Sequence, residues 1–477
     1  MFSAKTYVSR RERLARLMPD SLLLFLGNDI APFNYPSNDY RFRQDSTFLY
    51  LFGLDTPGLA AIIDTANGTS TLFADDVSMD DIVWTGPMPS AEERAALVEI
   101  DRAMPFKALA EVVNRALSAG RKVHYVPPYR GETVIRFAEL LGIKPAQVVP
   151  SASESLIRAL VSLRIVKEQC EIDDLDKQMV FANNIHTAAM RLAHEGVSEN
   201  DIMSRVQYES MMGGGAVSFP PICTIHGETL HNHGYIHDLQ NGKLLLVDAG
   251  CESPNHYATD NTRTTPVGGR FTTRQKEIYD IVLAANEAVI ANSAPGVFYK
   301  DMHLLANRVM IEGLKAIGLM TGDTDAALNA GAVGLFMPHG IGHNLGLDVH
   351  DMENYGEDIV GYDDETGPRV NQLGLGSLRM AKRLVAGNVV TDEPGIYFIP
   401  ELIDRWRRKH ICDGFINYAR LESYKDFGGI RIEDDLLITA NGCRVMGEGR
   451  LPSTVAEVEA EAARSGEERR DVLTNLV

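Results

Sequence analysis

The chain is poor in cysteine and tryptophan, with 5 and 2 of them among 477 residues. The cysteines are scattered without CxxC spacing, which argues against a disulfide framework and is typical of a reducing compartment. No apolar run is long enough to span a bilayer. The first 18 residues are basic but lack the apolar core of a signal sequence. We therefore predict a cytoplasmic protein without a membrane partner.

Basic residues are fewer than acidic residues. The chain has 46 Lys and Arg against 65 Asp and Glu, a formal net charge of −19. Because nucleic acids and anionic membranes bind to basic surfaces, this charge disfavours both as partners. The hydrophobic share of 45% and the charged share of 23% are ordinary for a globular protein. The length allows two or three domains.

The first third of the chain alternates short apolar runs with helical spacing, which predicts an α/β domain without a catalytic constellation. Runs bounded by Gly, Asn or Asp are predicted strands, at 21–26, 48–52, 60–63 and 122–126. Helical spacing occurs within 91–118, and a connection is predicted at 145–153. The predicted domains are therefore an N-terminal domain, a second domain and a charged tail, with the bounds 1–155, 156–455 and 456–477.

The second region contains two similar runs. In Gly242–Gly250 and Gly387–Gly395, a carboxylate stands six residues after the first glycine and a glycine follows two residues later. Each run is followed by a second carboxylate, Asp260 or Glu433. A duplicated α/β unit with one carboxylate pair per half explains this pattern.

Helices are predicted on either side of the first run. Residues 168–194 have the spacing of one long helix. Thr272 to Gln275 forms a plausible capping box at the start of another helix. The end of the chain, from about Pro452, is rich in Ala, Glu and Arg and is predicted as a solvated helix.

Five residues with good metal-binding side chains stand in settings that can hold them rigidly: Asp248, Asp260, His343, Glu393 and Glu433. Four carboxylates balance two divalent cations, which is the composition of a two-metal hydrolase site. Each carboxylate can bridge two ions, and the single imidazole shifts the preference toward Mn, Co or Zn. A single Asp after a strand is usually a turn or capping residue, so the prediction rests on the whole set.

The motifs around these residues resemble those of the Xaa-Pro peptidases, prolidase and aminopeptidase P, which have the pita-bread metallopeptidase fold. They occur in the family order between about residues 160 and 450, at 244–250, 260–264, 339–351, 393–397 and 429–434. Residues 40–50 resemble the additional N-terminal domain of that family. The resemblance implies an α/β (α+β) protein, with a creatinase/prolidase-like N-terminal domain followed by a pita-bread catalytic domain.

The resemblance also implies how the five residues divide the metals between them. By position, Asp248 binds one ion, His343 and Glu393 bind the other, and Asp260 and Glu433 bridge both. The ions lower the pKa of a bound water, which attacks the carbonyl before proline. Glu393 is expected to carry its proton. Manganese is the expected ion, with cobalt or zinc as alternatives.

Histidines and arginines complete the implied site. His231 and His350 match residues that contact the substrate and stabilise the oxyanion, and His339 matches a wall of the proline pocket. The nitrogen of an Xaa-Pro bond carries no hydrogen, and the φ angle of proline is restricted. Peptidases that bind substrates through the N–H at this position therefore lose a hydrogen bond. Three further histidines receive no role: His233, His237 and His256.

Two substrate classes stay open within this family. A dipeptidase has to recognise the free carboxylate after proline, and the planar fork of arginine suits that group. Arg379 stands fourteen residues before Glu393 and resembles the prolidase arginine that takes this role beside Arg431. The alternative is that Arg379 is an ordinary surface arginine without a role in substrate binding. Prolidase is therefore the first hypothesis, and an aminopeptidase P acting on peptides with proline at the second position is the alternative. The resemblance favours a homodimer.

Two hypotheses of other classes compete with a peptidase. A pita-bread protein that serves as a non-catalytic binding module would lose metal ligands, whereas this chain keeps all five. A hydrolase of other esters or phosphotriesters stays open, because the same activated water can attack phosphorus.

The chain departs from the family pattern at three places. One is the segment 222–230, which is shorter than usual for the family at the position of the substrate flap. Asp248 and Asp260 are twelve positions apart, one more than the commonest spacing, and a β-bulge can accommodate the extra residue. Asp392 replaces the usual apolar residue before Glu393.

Overall fold

The computed structural model describes residues 1–464. They form two compact units, one made of 1–164 and 352–356 and the other of 165–351 and the residues from 357 onward. In the described part of the chain, no helix is long and apolar enough to cross a membrane. The domain bounds given by the sequence stay predictions.

The first unit has helices on a mixed sheet. Its helices are α1 (Ala4–Leu17), α2 (Ser46–Phe52), α3 (Met79–Thr85), α4 (Ala91–Leu97), α5 (Leu109–Ser118), α6 (Gly131–Leu141), α7 (Pro145–Val148) and α8 (Glu154–Arg164). Its strands are β1 (Leu22–Leu26), β2 (Pro32–Tyr35), β3 (Asn38–Asp39), β4 (Ala60–Asp64), β5 (Thr69–Phe73), β6 (Arg102–Met104) and β7 (Val123–His124). Five strands form one sheet in the order β6-β5-β4-β1-β7, so the prediction of an α/β domain is confirmed.

One predicted strand of this unit is wrong. Residues 48–52 belong to α2, because Asp45 accepts a hydrogen bond from the Phe48 N–H at 2.9 Å and caps the helix start. Gly53, at φ 63°, ends the helix in the left-handed region. Every residue of α2 is buried. A short apolar run that is buried on all sides has no periodicity that separates helix from strand.

The second unit contains the longest helices of the described chain. Its helices are α9 (Gln169–Leu192), α10 (Glu199–Met212), α11 (Thr273–Asn292), α12 (Tyr299–Ala316), α13 (Thr324–Asn329), α14 (Glu357–Val360), α15 (Pro400–Arg408), α16 (Tyr418–Leu421) and α17 (Val455–Ala462). Its strands are β8 (Ile222–Thr224), β9 (Leu244–Ala249), β10 (Asn261–Pro266), β11 (Val389–Asp392), β12 (Gly395–Tyr397), β13 (Gly429–Arg431), β14 (Asp434–Thr439) and β15 (Gly442–Val445). The predicted long helix is α9, and the predicted capping box is present at the start of α11.

Two antiparallel three-stranded sheets carry the predicted ligands. They have the strand orders β10-β9-β8 and β11-β14-β15, and a short β12-β13 pair lies beside them. An isolated bridge between Thr262 and Glu433 joins the two halves. The β9-β10 register pairs Ala249 with Asn261 and continues unshifted to the bridge of Glu252 with Ala258. The expected β-bulge is therefore wrong, since the turn of the hairpin takes up the extra residue.

The core of the second unit surrounds these sheets. Leucines of β9 are buried, and α11 and α12 pack around a cluster that includes Ile278, Val282 and Met310. The helix predicted as solvated near the C-terminus is α17, and it is not fully solvated. Its Val458 is completely buried, and Glu459 accepts the Phe271 N–H at 3.1 Å. Residues 465–477 of the predicted tail lie outside the described chain.

Candidate metal centre and active site

The predicted ligands lie where strands of the two sheets end. Asp248 is in β9 and Asp260 immediately precedes β10, while Glu393 follows β11 and Glu433 lies between β13 and β14. His343 lies in the loop beside β11, held by a bridge between Asn344 and Val390. Each sheet therefore contributes one carboxylate pair, as the repeated sequence pattern predicts.

The structure brings these side chains to one cavity. Ligand atoms of Asp260, His343 and Glu433 lie within 4.8 Å of one another. His343 Nε2 is 3.3 Å from Asp260 Oδ2 and 3.8 Å from Glu393 Oε1. Asp248 and Glu393 line the same cavity, whose volume is about 520 Å³. All five predicted ligands thus face one space in the second unit.

The hydrogen bonding of His343 defines which nitrogen faces the cluster. Its Nδ1 lies 3.0 Å from the Asn344 carbonyl. Because a carbonyl only accepts, Nδ1 carries the proton and the Nε2 lone pair is directed toward the carboxylates. A protein fixes the tautomer of a metal-binding histidine in this way.

The carboxylates repel one another in a buried setting. Burial, followed by the charges of Glu433 and Asp248, raises the pKa of Asp260 well above its ordinary value. Burial, followed by Glu393 and Asp248, does the same for Glu433. Burial is also the main cause that raises the pKa of Glu393 to about 7, against the opposing charges of Arg431 and Arg379. A divalent cation would stabilise the ionised forms.

The residues present fit a divalent metal. Asp248 Oδ1 and Asp260 Oδ1 are buried without a hydrogen-bond partner within residues 1–464. Buried polar atoms are seldom left in that state, and a divalent cation held between these side chains would satisfy both oxygens. The donors are carboxylate oxygens and one imidazole nitrogen, a set suited to Mn, Co or Zn.

Neighbouring groups position the carboxylates that would hold the metal. Thr262 donates to Glu433 Oε2 at 2.7 Å, and Asp435 Oδ2 accepts the Asp260 N–H at 3.1 Å. Arg431 Nη2 donates to Asp248 Oδ2 at 2.5 Å. One oxygen of Asp248 is therefore used by Arg431, which leaves its Oδ1 for the cavity.

A directional chain of hydrogen bonds crosses one wall of the cavity. Arg431 Nη1 donates to the Tyr397 hydroxyl at 2.8 Å, and that hydroxyl lies 2.9 Å from His339 Nε2. His339 Nδ1 is 2.8 Å from the Gly340 carbonyl, so Nδ1 carries the proton and Tyr397 donates to Nε2. Burial lowers the pKa of His339 to about 3. The ring is therefore neutral, with both nitrogens occupied.

Other predicted site residues also line the cavity. They are His231, His350 and Arg379. The ring of His350 lies 4.0 Å from that of His343. A buried ion pair of Lys167 with Asp351, at 3.0 Å, fixes the backbone immediately after His350. His233 lines the cavity as well, although no role was predicted for it.

Asp392, the unusual residue before Glu393, points to the opposite side of β11. Asn286 Nδ2 donates to its Oδ2 at 3.0 Å. Burial, followed by the charge of Asp434, raises the pKa of Asp392 well above the ordinary value. Since Asp392 does not line the cavity, its carboxyl adds no ligand there.

Sequence reasoning missed several residues of the site. Tyr397 and Thr262 lie within the motifs that carry the resemblance, but their hydrogen bonds depend on partners distant in sequence. No local signal pointed to either residue, because these partners are 34 and 171 positions away. The apolar side of the cavity was also missed, and it is formed by Phe219, Pro220, Ile222, Leu230 and Val349.

Metal removal is expected to destabilise the protein in a pH-dependent way. Because the pKa values of Asp260 and Glu433 are raised, the metal-free folded protein binds more protons than the unfolded chain above about pH 4, and its stability falls as pH rises. Metal competes with those protons, so its affinity rises with pH. The gap in thermal midpoint between manganese-loaded and metal-free protein should widen from about pH 5 to about pH 8. A narrowing gap would contradict this account.

Buried carboxylates that converge with one histidine beside a substrate-sized cavity define a metal-dependent hydrolase. The profile of metallopeptidase family M24 matches residues 174–440, and that of the aminopeptidase P N-terminal domain matches residues 7–125. The chain belongs to metallopeptidase family M24, with an N-terminal domain of the aminopeptidase P type.

Known relatives span nearly the same length. The chain is 33% identical to the Xaa-Pro dipeptidase of Homo sapiens over 432 residues, covering 88% of this chain and 84% of that protein. It is also 33% identical to a probable Xaa-Pro aminopeptidase of Botryotinia fuckeliana, covering 84% and 83%. Among solved structures, Pseudomonas aeruginosa aminopeptidase PepP is 28% identical, with a TM-score of 0.80 and coverage of 98% and 99%. The Glu-to-Ala variant of Escherichia coli aminopeptidase P in complex with substrate is 26% identical, with the same TM-score and coverage.

Proposed function

We propose that this metallopeptidase uses two divalent ions to hydrolyse Xaa-Pro bonds, with Xaa-Pro dipeptides as its substrates. One observation carries the proposal. The buried carboxylates, the neutral ring of His339 and two arginines, Arg379 and Arg431, line a single cavity. The dipeptidase and aminopeptidase relatives support the same bond specificity. All five ligand side chains line the cavity, which weighs against a non-catalytic binding module.

Each ligand has a defined task in this proposal. Asp248 would hold one ion, His343 and Glu393 the other, and Asp260 and Glu433 would bridge them. Bound metal supplies an acidified water and a polarised carbonyl. Glu393 takes a proton on a carboxylate oxygen and delivers it to the leaving nitrogen of proline.

The cavity wall suits a proline ring. Both nitrogens of His339 are occupied by Tyr397 and Gly340, so the side chain presents a neutral ring face instead of a polar edge. His231 and His350 are proposed to contact the peptide carbonyl and stabilise its developing negative charge. Binding then needs no N–H from the residue at the proline position.

In this proposal, Arg379 decides whether the protein prefers dipeptides or longer peptides. Its side chain lines the cavity and is 35% exposed, while Arg431 is buried and held by Asp248 and Tyr397. Arg379 is therefore the arginine that can contact a substrate carboxylate directly. The positive charge of the nearby Arg431 would add to the attraction of that carboxylate. If Arg379 instead contacts only solvent and protein, longer peptides become the better substrates.

A matched pair of peptides tests this assignment. Manganese-loaded protein is assayed on an Xaa-Pro dipeptide and on the same dipeptide extended at its C-terminus. We expect selective cleavage of the dipeptide, and Arg379→Ala should lower its kcat/KM by about 10- to 100-fold, since a charge-assisted bidentate contact is lost. Arg383→Ala, which removes an exposed arginine paired with Glu365, is the control and should change little.

The other outcomes of that assay are equally informative. Efficient cleavage of the extended peptide, unaffected by Arg379→Ala, would make the protein an Xaa-Pro aminopeptidase. Cleavage of neither peptide by metal-loaded protein would overturn the Xaa-Pro assignment and favour the ester or phosphotriester hypothesis. Manganese as the ion, a homodimeric assembly and a cytoplasmic location belong to this proposal as well. Metal analysis, sedimentation and fractionation respectively test them.

A further inference from the structure

A small charge network links Arg379 to Glu357 and Arg369. Arg379 Nε is 3.3 Å from Glu357 Oε1, and the second oxygen of Glu357 is 2.7 Å from Arg369 Nη2. One carboxylate, at the first position of α14, thus links two guanidinium groups. The side chain of Glu357 is 29% exposed, so solvent screens these pairs only in part.

Arg369 also fixes the backbone that leads into Arg379. Its Nη1 donates to the carbonyls of Gly376 and Leu378, at 3.1 and 3.3 Å. The Tyr362 hydroxyl donates to the same Leu378 carbonyl at 2.9 Å, and the Arg369 guanidinium lies 4.9 Å from the centre of the Tyr362 ring. The residue before Arg379 is therefore held by two independent donors.

The two segments also pack closely through their backbones. A Cβ atom at Gly361 would lie 1.7 Å from the Arg379 carbonyl oxygen. The N–H groups of Ala381 and Lys382 both donate to the Gly361 carbonyl, at 2.8 and 3.1 Å. The segment around Glu357 and the segment around Arg379 are thus packed directly against each other. The backbone position of Arg379 is therefore set by packing, and its Nε lies beside the Glu357 carboxylate.

We propose that Glu357 is a positioning residue for Arg379, holding the guanidinium in the orientation that receives the carboxylate of a dipeptide substrate. This inference rests on the proposed function. A long flexible side chain loses rotamer entropy when it binds, and an anchored one loses less. The contact of Glu357 is an ion pair on the Nε side of the guanidinium, and its attraction limits the rotamers open to Arg379.

A double-mutant cycle tests the proposal with Glu357→Ala, Arg379→Ala and the combined variant. Binding is measured by calorimetry with a non-cleavable Xaa-Pro dipeptide analogue and with its C-terminal amide. Glu357→Ala should weaken binding of the free acid about 10-fold and leave binding of the amide unchanged, with kcat on the dipeptide within about 2-fold. In the Arg379→Ala background, the effect of Glu357→Ala should vanish.

Three further variants separate the orientation of Arg379 from effects on stability and on net charge. Asp358→Asn removes the neighbouring carboxylate, which contacts Arg369 Nε at 3.1 Å, and this variant should bind the analogue like wild type. Glu357→Gln keeps the length of the side chain and an oxygen beside Nε but removes the charge, so it should restore only part of the affinity. Glu357→Asp is one methylene too short to reach both arginines and should not restore it.

Some results would overturn the proposal. They are equal weakening of acid and amide by Glu357→Ala, an undiminished effect in the Arg379→Ala background, or the same loss with Asp358→Asn. These outcomes differ from failure of the proposed function, in which the wild type would discriminate neither acid from amide nor proline from other residues.

Discussion

Replacing Asp260 by asparagine is expected to lower kcat/KM on an Xaa-Pro dipeptide by at least about 10³-fold. Asparagine keeps the shape of the side chain but removes the charge and one of the two oxygens that allow bridging. Asp260 is buried, lies 3.3 Å from His343 Nε2 and has one oxygen without a protein partner among residues 1–464. The same substitution should reduce the metal bound per chain, as measured by elemental analysis.

Asp364→Asn provides the matched control. Asp364 is exposed in the second unit, so its substitution removes the same charge without touching the cavity, and activity and metal content should stay unchanged. Asp260→Asn with full metal content and normal kcat/KM would contradict the placement of Asp260 in the metal centre.

Replacing Arg263 by methionine should cost about 3 kcal/mol in the free energy of unfolding of metal-loaded protein. Arg263 is 1% exposed and donates to Asp434 Oδ1 at 2.6 Å. Burial by itself would raise the pKa of Asp434, but Arg263 and Arg450 hold it below the ordinary value. Without Arg263, the buried Asp434 carboxylate keeps only Arg450 of these two positively charged partners. The Glu433 carbonyl also loses the donor that lies 2.8 Å away.

Urea denaturation of the metal-loaded protein measures this effect. Arg407→Met is the control, because the pair of Arg407 with Glu422 spans 3.4 Å and is more than half exposed. Such a pair contributes little, so its loss should stay within about 0.5 kcal/mol. Equal effects of the two substitutions would show that the buried pair does not stabilise the ligand-bearing strands.

The convergence of the five candidate ligands could be predicted from the sequence because their chemistry is local and repeated. A carboxylate after an apolar run, twice at the same spacing from glycines, indicates two similar strands with rigid ends. The bridge between Thr262 and Glu433 joins those halves in space. A sequence pattern cannot give that pairing, since the partners are about 170 residues apart.

Other elements depended on tertiary context. Residues 48–52 fold as a helix because Asp45 caps it and its surroundings bury every side, which removes the periodic signal. The charge network of Glu357, Arg369 and Arg379 likewise depends on packing between segments about twenty residues apart. The resemblance identified Arg379 by position, but the group that orients it became visible only in the structure.

The most direct test of the central claim is a comparison of an Xaa-Pro dipeptide with the Xaa-Ala dipeptide of the same first residue. Both are offered to manganese-loaded wild type, metal-free protein and the Asp260→Asn variant. We expect turnover of the Xaa-Pro dipeptide by the loaded wild type only, with a preference over Xaa-Ala of about 10²-fold or more. Equal turnover of both dipeptides, or turnover that survives removal of the metal, would contradict it.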